Sequence, residues 1–156
     1  MISDEAHLLM GKQARECIET HAKQAIAVSF IPLVSLPIVY GVCAKMIINL
    51  DKIFGIPTAK GWDSEITQDI MAGVIAAPAL AIPFLGAGVA AMFVKSIGKS
   101  YAQAVAAVVS ASTRQELTDG ALVAERVKGE LKKIYAQQRQ ARLLRISNRE
   151  KKAEMR

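Results

Sequence analysis

Apolar side chains recur along this chain at three- and four-residue steps, and no segment alternates as a half-buried strand would. Residues 4–29 carry the first helical pattern, with Leu8, Leu9, Cys17, Ile18, Ala22, Ala25 and Ile26 expected on one face and Ser3 or Asp4 as the cap. The run Phe30-Ile31-Pro32-Leu33-Val34-Ser35-Leu36-Pro37 then interrupts it, because prolines this close break or sharply kink a helix. A second helix is expected from about Pro37 to Phe54, since proline fits a first turn. Residues 55–62 read as a loop, and Asp63 or Ser64 should cap a third helix running toward Ala81. Ile82-Pro83-Phe84-Leu85-Gly86 makes the second break, with Pro78 one turn earlier, and a fourth helix should span Gly86 to Ala111. Thr113 and Glu116 have capping-box spacing and predict the start of a last helix reaching about residue 148. Its apolar stripe would be Leu117, Ala121, Ala124, Val127, Leu131, Ile134, Ala141 and Leu144, with fraying from Asn148.

The reading is therefore all-α: helical hairpins broken at Ile-Pro turns, then a long amphipathic C-terminal helix. Residues 1–112 form the hairpin part, in which Pro32, Pro37, Pro83 and Gly86 mark the breaks. Residues 113–156 form the basic C-terminal helix and tail. The segments after the two Ile-Pro turns echo each other weakly, as two helix–break–helix units in series.

Two stretches change the picture. Residues 25–44 and 70–94 contain no charged side chain. A bilayer core about 30 Å thick takes roughly 20 apolar residues of helix, and both stretches meet that length. The proline breaks oppose this, because freed backbone groups in hydrocarbon need a partner. Each stretch could be a kinked spanning helix, a re-entrant hairpin, or a buried core hairpin, and the balance leans toward lipid. Flanking basic residues then favour both termini in the cytoplasm. Gly73 with Ala77, and Gly86 with Ala90, have the four-residue spacing that lets helices approach closely.

Charge is uneven. Residues 1–24 and 45–69 each hold three basic and four acidic side chains, whereas residues 95–156 hold fourteen and six. The formal net charge of +6 thus belongs to the C-terminal third. Arg139, Arg142, Arg145 and Arg149 form a stripe on a helix there, suited to a membrane surface or a partner. No aromatic residue follows Tyr135, so base stacking, and with it nucleic acid, is not expected. Residues 1–24 are polar and of mixed charge, unlike a secretory signal, which points to the cytoplasm or the cytoplasmic face of a membrane.

Candidate chemistry is thin. Gly86-Ala-Gly88-Val-Ala-Ala91 matches GxGxxA, but no strand precedes it and no acidic residue stands about 20 positions on. No phosphate-loop motif is present. Cys17 and His21 share a helix face, and His7 would have to supply a third ligand for zinc, so a metal site is not expected. Cys43 reads as a small core residue. Asp63, Glu65 and Asp69 are explained by capping and the helix dipole. No catalytic residue, cofactor or metal is proposed.

Ala27-Val-Ser-Phe-Ile-Pro-Leu-Val, followed by Met46-Ile-Ile-Asn-Leu-Asp-Lys-Ile-Phe-Gly55-Ile, resembles the first half of a bacterial helical domain found with small GTPases. That family is domain-of-unknown-function family 697, related to YcjF-like inner-membrane proteins. Ile82-Pro83-Phe84-Leu85-Gly86 and Ser96-Ile-Gly98-Lys-Ser-Tyr101-Ala resemble its second half. The similarity covers about residues 20–110. Val34-Ser35-Leu36-Pro37 departs from it, and the helix after residue 112 lies outside it. The resemblance implies membrane association and partnership with a GTPase on another chain, and no catalytic residues.

The expected function is thus a non-enzymatic, membrane-associated helical module at the inner (cytoplasmic) membrane, partnered by lipid and by a protein such as a small GTPase. Two alternatives are a soluble α-helical adaptor assembling through its last helix, and a small pore or membrane-disrupting protein built from oligomerised hairpins.

Overall fold

A computed structural model describes residues 4–28, 35–57 and 85–154 of the chain. Four α-helices make up almost all of it: α1 Asp4–Val28, α2 Ser35–Phe54, α3 Leu85–Ala111 and α4 Gly120–Glu154. A short 3-10 turn, Glu116–Thr118, precedes α4, and there is no strand among the described residues. Six expected boundaries fall within about two residues of the observed ones, namely both ends of α1, α2 and α3. Pro37 lies in the first turn of α2, where its missing N–H costs nothing. Gly86 is the second residue of α3. Pro32, Pro83, the expected third helix and the Gly73–Ala77 pair lie outside the described residues.

Phe54-Gly55 ends α2 for a clear reason. Gly55 has φ +68°, a left-handed conformation that glycine adopts without a Cβ clash. Its N–H donates to the Lys52 carbonyl at 3.3 Å, and the Ile56 N–H donates to the Asp51 carbonyl at 3.0 Å. This is the Schellman arrangement, and buried Ile56 supplies its apolar contact.

The last helix starts later than its sequence suggests. The Thr113–Glu116 capping box forms, with the Thr113 N–H donating to Glu116 Oε2 at 2.7 Å, but it caps only the 3-10 turn. Asp119 caps α4 instead, its Oδ1 accepting from the N–H groups of Ala121 and Leu122 at 3.0 and 3.2 Å. Gly120 follows at the first helical position. At the other end the helix runs on to Glu154, past the expected fraying point at Asn148.

α3 is the hub, packing on α1, α2 and α4. Gly98 of α3 shows how tightly: a Cβ there would stand 2.7 Å from Ile18 Cγ1 of α1 and 2.9 Å from Met46 Sδ of α2. The direction of each helix follows from its contacts. Glu19 and Lys95 pair at 2.8 Å, Tyr101 reaches Asp51, and Gln138 and Arg126 of α4 reach Ser100 of α3 and Ser112 just beyond its end. α1 and α4 therefore run antiparallel to α2 and α3. One end of the bundle holds the C-terminal ends of α1 and α4 and the N-terminal ends of α2 and α3.

One apolar cluster fills the interior and draws on every helix, including Ala14, Ile18, Ala25, Cys43, Leu50, Val94, Val105, Val127 and Leu131. Three of these residues, Ala25, Val39 and Cys43, come from the uncharged stretch 25–44 and are buried in this core. That stretch is divided between the end of α1 and the start of α2, so no single helix carries it. Among the described residues no helix is long and apolar enough to cross a membrane.

Some expected core positions are exposed instead. Leu8 is 76% and Leu9 56% accessible. The buried stripe of α1 is Ala14, Ile18, His21, Ala22 and Ala25, and extending it backward at helical periodicity reaches His7, Met10 and Gly11, not the two leucines. Ile26 falls on the same flank as Leu8 and is also partly exposed. On α4, Val123, Val127, Leu131 and Ile134 are buried, whereas Ala121, Ala141 and Leu144 are exposed. Ala121 lies off the stripe, and Ala141 and Leu144 lie beyond Gln138, the last described side chain of α4 with a bond to α3.

Candidate functional site: the basic end of the bundle

Three polar residues are buried among the described ones: His21, which the sequence placed on one helix face with Cys17, and Asp51 and Ser100, for which it suggested no role. Tyr101, itself fully buried, donates its hydroxyl to Asp51 Oδ1 at 2.6 Å. His21 Nδ1 lies 2.8 Å from the Cys17 carbonyl, which can only accept, so Nδ1 carries the proton. Nε2 is then the acceptor facing the Asn49 amide at 3.4 Å. The Cys17 sulfur is 3.6 Å from the same Nδ1, and burial raises its thiol pKa. Burial pushes the Cys43 thiol up to about 12. Neither cysteine is poised as a thiolate.

Ser100 accepts a hydrogen bond from Gln138 Nε2 at 3.1 Å. The Tyr135 hydroxyl is buried and makes no hydrogen bond of good geometry among the described residues. Burial drives its pKa to about 12, with nearby Ser100 opposing the rise and Cys43 adding to it. The His21–Asn49, Tyr101–Asp51 and Ser100–Gln138 pairs tie α1 to α2, α2 to α3 and α3 to α4. They specify how the helices pair, because a wrong register would leave these buried groups unsatisfied.

No group of three or more His, Cys, Asp or Glu residues among the described ones could hold a metal ion. His7 stays on the surface, beside a shallow depression lined by His7, Leu8, Gly11, Lys12, Arg15 and Glu16. All of these belong to α1, and none of the buried polar groups reaches it.

The distribution of charge is the strongest functional feature. The layer of Ile18, Met46, Gly98, Ser100 and Gln138 divides the bundle into two ends. On one side stand Lys23, Lys45 and Lys95 from the first three helices, with Lys99 at the edge of the layer between Gly98 and Ser100. Arg139, Arg142, Arg145, Arg149, Lys151 and Lys152 join them from α4. Only Glu19, Glu150 and Glu154 oppose these ten. Glu19 is already committed, since its bond to Lys95 holds its pKa below the usual carboxylate value. On the other side of the layer, eight basic side chains face eight acidic ones. The whole excess charge of the described helices sits at one end.

Helical register changes the character of α4 there. Its buried stripe runs Val123, Val127, Leu131, Ile134 and reaches Gln138. Continued at three- and four-residue steps, the same stripe falls on positions 142, 145, 149 and 152, which are Arg, Arg, Arg and Lys. The stripe changes from aliphatic to cationic within about one turn. Past Gln138, the described side chains Gln140, Ala141 and Leu144 are exposed. Ala90, expected to mediate close packing, is buried in α3, although Gly98 is where the helices approach most closely.

No protein-family model matches this chain, and no curated protein or solved structure matches it.

Proposed function

We propose that this chain is a non-enzymatic helical module that docks peripherally on an anionic membrane surface through the basic end of its bundle. The observation that carries this reading is the charge asymmetry: the helix segments at one end carry ten basic against three acidic residues, and those at the other are balanced. Each Lys or Arg near an anionic surface contributes about 1 kcal/mol, within a Debye length of roughly 8–10 Å. Chain order adds a second reason. Both uncharged stretches meet the described helices at this same end, through the C-terminus of α1 and the N-termini of α2 and α3. A basic collar beside charge-free chain suits a lipid surface better than a nucleic acid, which would engage the charge alone.

Co-sedimentation with vesicles tests this. Binding to phosphatidylglycerol-containing vesicles, absence of binding to pure phosphatidylcholine, and weakening with added salt are expected. Equal binding to both, or to neither, would refute it. A dye-leakage assay on the same vesicles separates docking from pore formation.

A second reading, a soluble adaptor assembling through α4, rests on the exposed helix past Gln138. Its cationic register would fit an acidic helix of a partner protein. The GTPase partnership rests on the resemblance alone, since none of the described contacts argues for it.

A further inference from the structure

Exposed apolar side chains are ordinary when scattered. Here they are not scattered. Among the described residues five large hydrophobic side chains are exposed: Leu8, Leu9, Ile26, Met92 and Leu144. The last three come from three different helices and lie on the basic side of the dividing layer. The contacts of α4 with α3 and the turn after it pair residue 138 with 100 and 126 with 112, so along the bundle axis Met92 is level with residue 146, two positions from Leu144. The Glu19–Lys95 and Ile18–Gly98 contacts place Ile26 within about one helical turn of the same level. Met92 is 73% and Leu144 65% accessible, which leaves most of each side chain in water.

We infer that Met92 and Leu144, flanked by Ile26, form an apolar wedge that enters the acyl region of an anionic phospholipid leaflet while the surrounding Lys and Arg residues hold the headgroups. The inference rests on the docking proposed above and adds to it. Charge alone gives binding that salt abolishes, whereas apolar insertion gives binding that salt leaves in place. Charge complementarity chooses the occupant: Met92 and Leu144 lie toward the end of the helices where ten Lys and Arg residues stand against three Glu, and a second copy of that end would be repelled.

The test uses the full chain and vesicles of phosphatidylglycerol and phosphatidylcholine at 0.15 M and about 1 M salt. The native chain should keep a salt-resistant bound fraction. The double variant Met92→Gln with Leu144→Gln preserves net charge and changes only exposed positions. It should lose that fraction and bind roughly ten- to a hundredfold more weakly at high salt. Leu9→Gln, exposed at the opposite end, should bind as the native chain does. Circular dichroism shows whether each variant keeps its helices. Complete release of the native chain at high salt, or a double variant that binds as the native chain does, would overturn the wedge and leave electrostatic docking standing. Equal weakening by Leu9→Gln, or a concentration-dependent dimer broken by the double variant, would also overturn it. Absence of binding to anionic vesicles at either salt concentration would sink the docking itself.

Discussion

The two ends of this bundle are built differently. At one end the chain is tied off. The Schellman turn at Gly55 closes α2, the Thr113–Glu116 box and the Asp119 cap close the turn between α3 and α4, and acidic and basic side chains balance. Arg126 braces that turn by donating to both Ser112 and Glu116. At the other end α4 has no aliphatic stripe, like charges accumulate, and Met92 and Leu144 remain in water. The difference separates stability from function. At the tied end and in the central layer polar groups pair within the chain, as in Arg126–Glu116 and Tyr101–Asp51, whereas at the basic end Lys23, Lys45, Met92 and Leu144 are exposed and available to a surface.

Substitutions should follow that division. The largest stability losses belong to the core and central layer. Leu50→Ala, at a fully buried site, should cost about 2–5 kcal/mol in chemical denaturation. Gly98→Ala forces a methyl against Ile18 and Met46 and should cost about 1–3 kcal/mol. If Gly98→Ala were neutral, the close approach of α3 to both neighbours would be wrong. Tyr101→Phe removes the hydroxyl bonded to buried Asp51 and should cost about 1–3 kcal/mol, with vesicle binding unchanged.

Smaller effects belong to the tied end. Asp119→Ala should cost about 1 kcal/mol, whereas Thr113→Ala should cost less, because Thr113 caps only the short turn. Equal losses would restore the helix start expected from the sequence. Glu116 supplies the pH dependence. Hydrogen bonds from the Thr113 backbone, Arg126 and the Thr113 side chain hold its carboxyl at about 2, below its ordinary value of 4.5. A depressed carboxyl contributes stability that is complete above 4.5 and is lost as pH falls through about 2. The difference in melting temperature between the native chain and Glu116→Gln should therefore be present at pH 7 and vanish toward pH 2. A difference independent of pH would mean that the carboxylate charge plays no part.

Local signals were the legible ones. Asp4, Pro37, Phe54-Gly55 and the Leu85-Gly86 break each mark a helix end through chemistry confined to a few residues, so α1, α2 and α3 could be placed from the sequence. The Thr113–Glu116 box was equally visible but misled, because Asp119 competes for the same role six residues later and leads directly into the aliphatic stripe. The pairing of Tyr101 with Asp51, 50 residues apart, and of His21 with Asn49, 28 apart, left no trace in spacing. Gly98 looked like any helical glycine until two helices were placed against it. The candidate site was half legible. The arginine stripe from Arg139 to Arg149 could be read directly, whereas its meeting with Lys23, Lys45, Lys95 and Lys99 depends on helix directions that only tertiary contacts supply.

Moving the same amount of charge from either end is the most direct test of that division. One variant replaces Arg142, Arg145, Arg149 and Lys152 by Gln, and the other replaces Lys12, Arg15, Lys132 and Lys133 by Gln. Both lower the net charge by four and both should stay folded, so binding to phosphatidylglycerol vesicles at low salt isolates position from total charge. Loss of binding in the first variant and its retention in the second is the predicted result. Equal binding by the two variants would contradict a docking surface confined to the basic end.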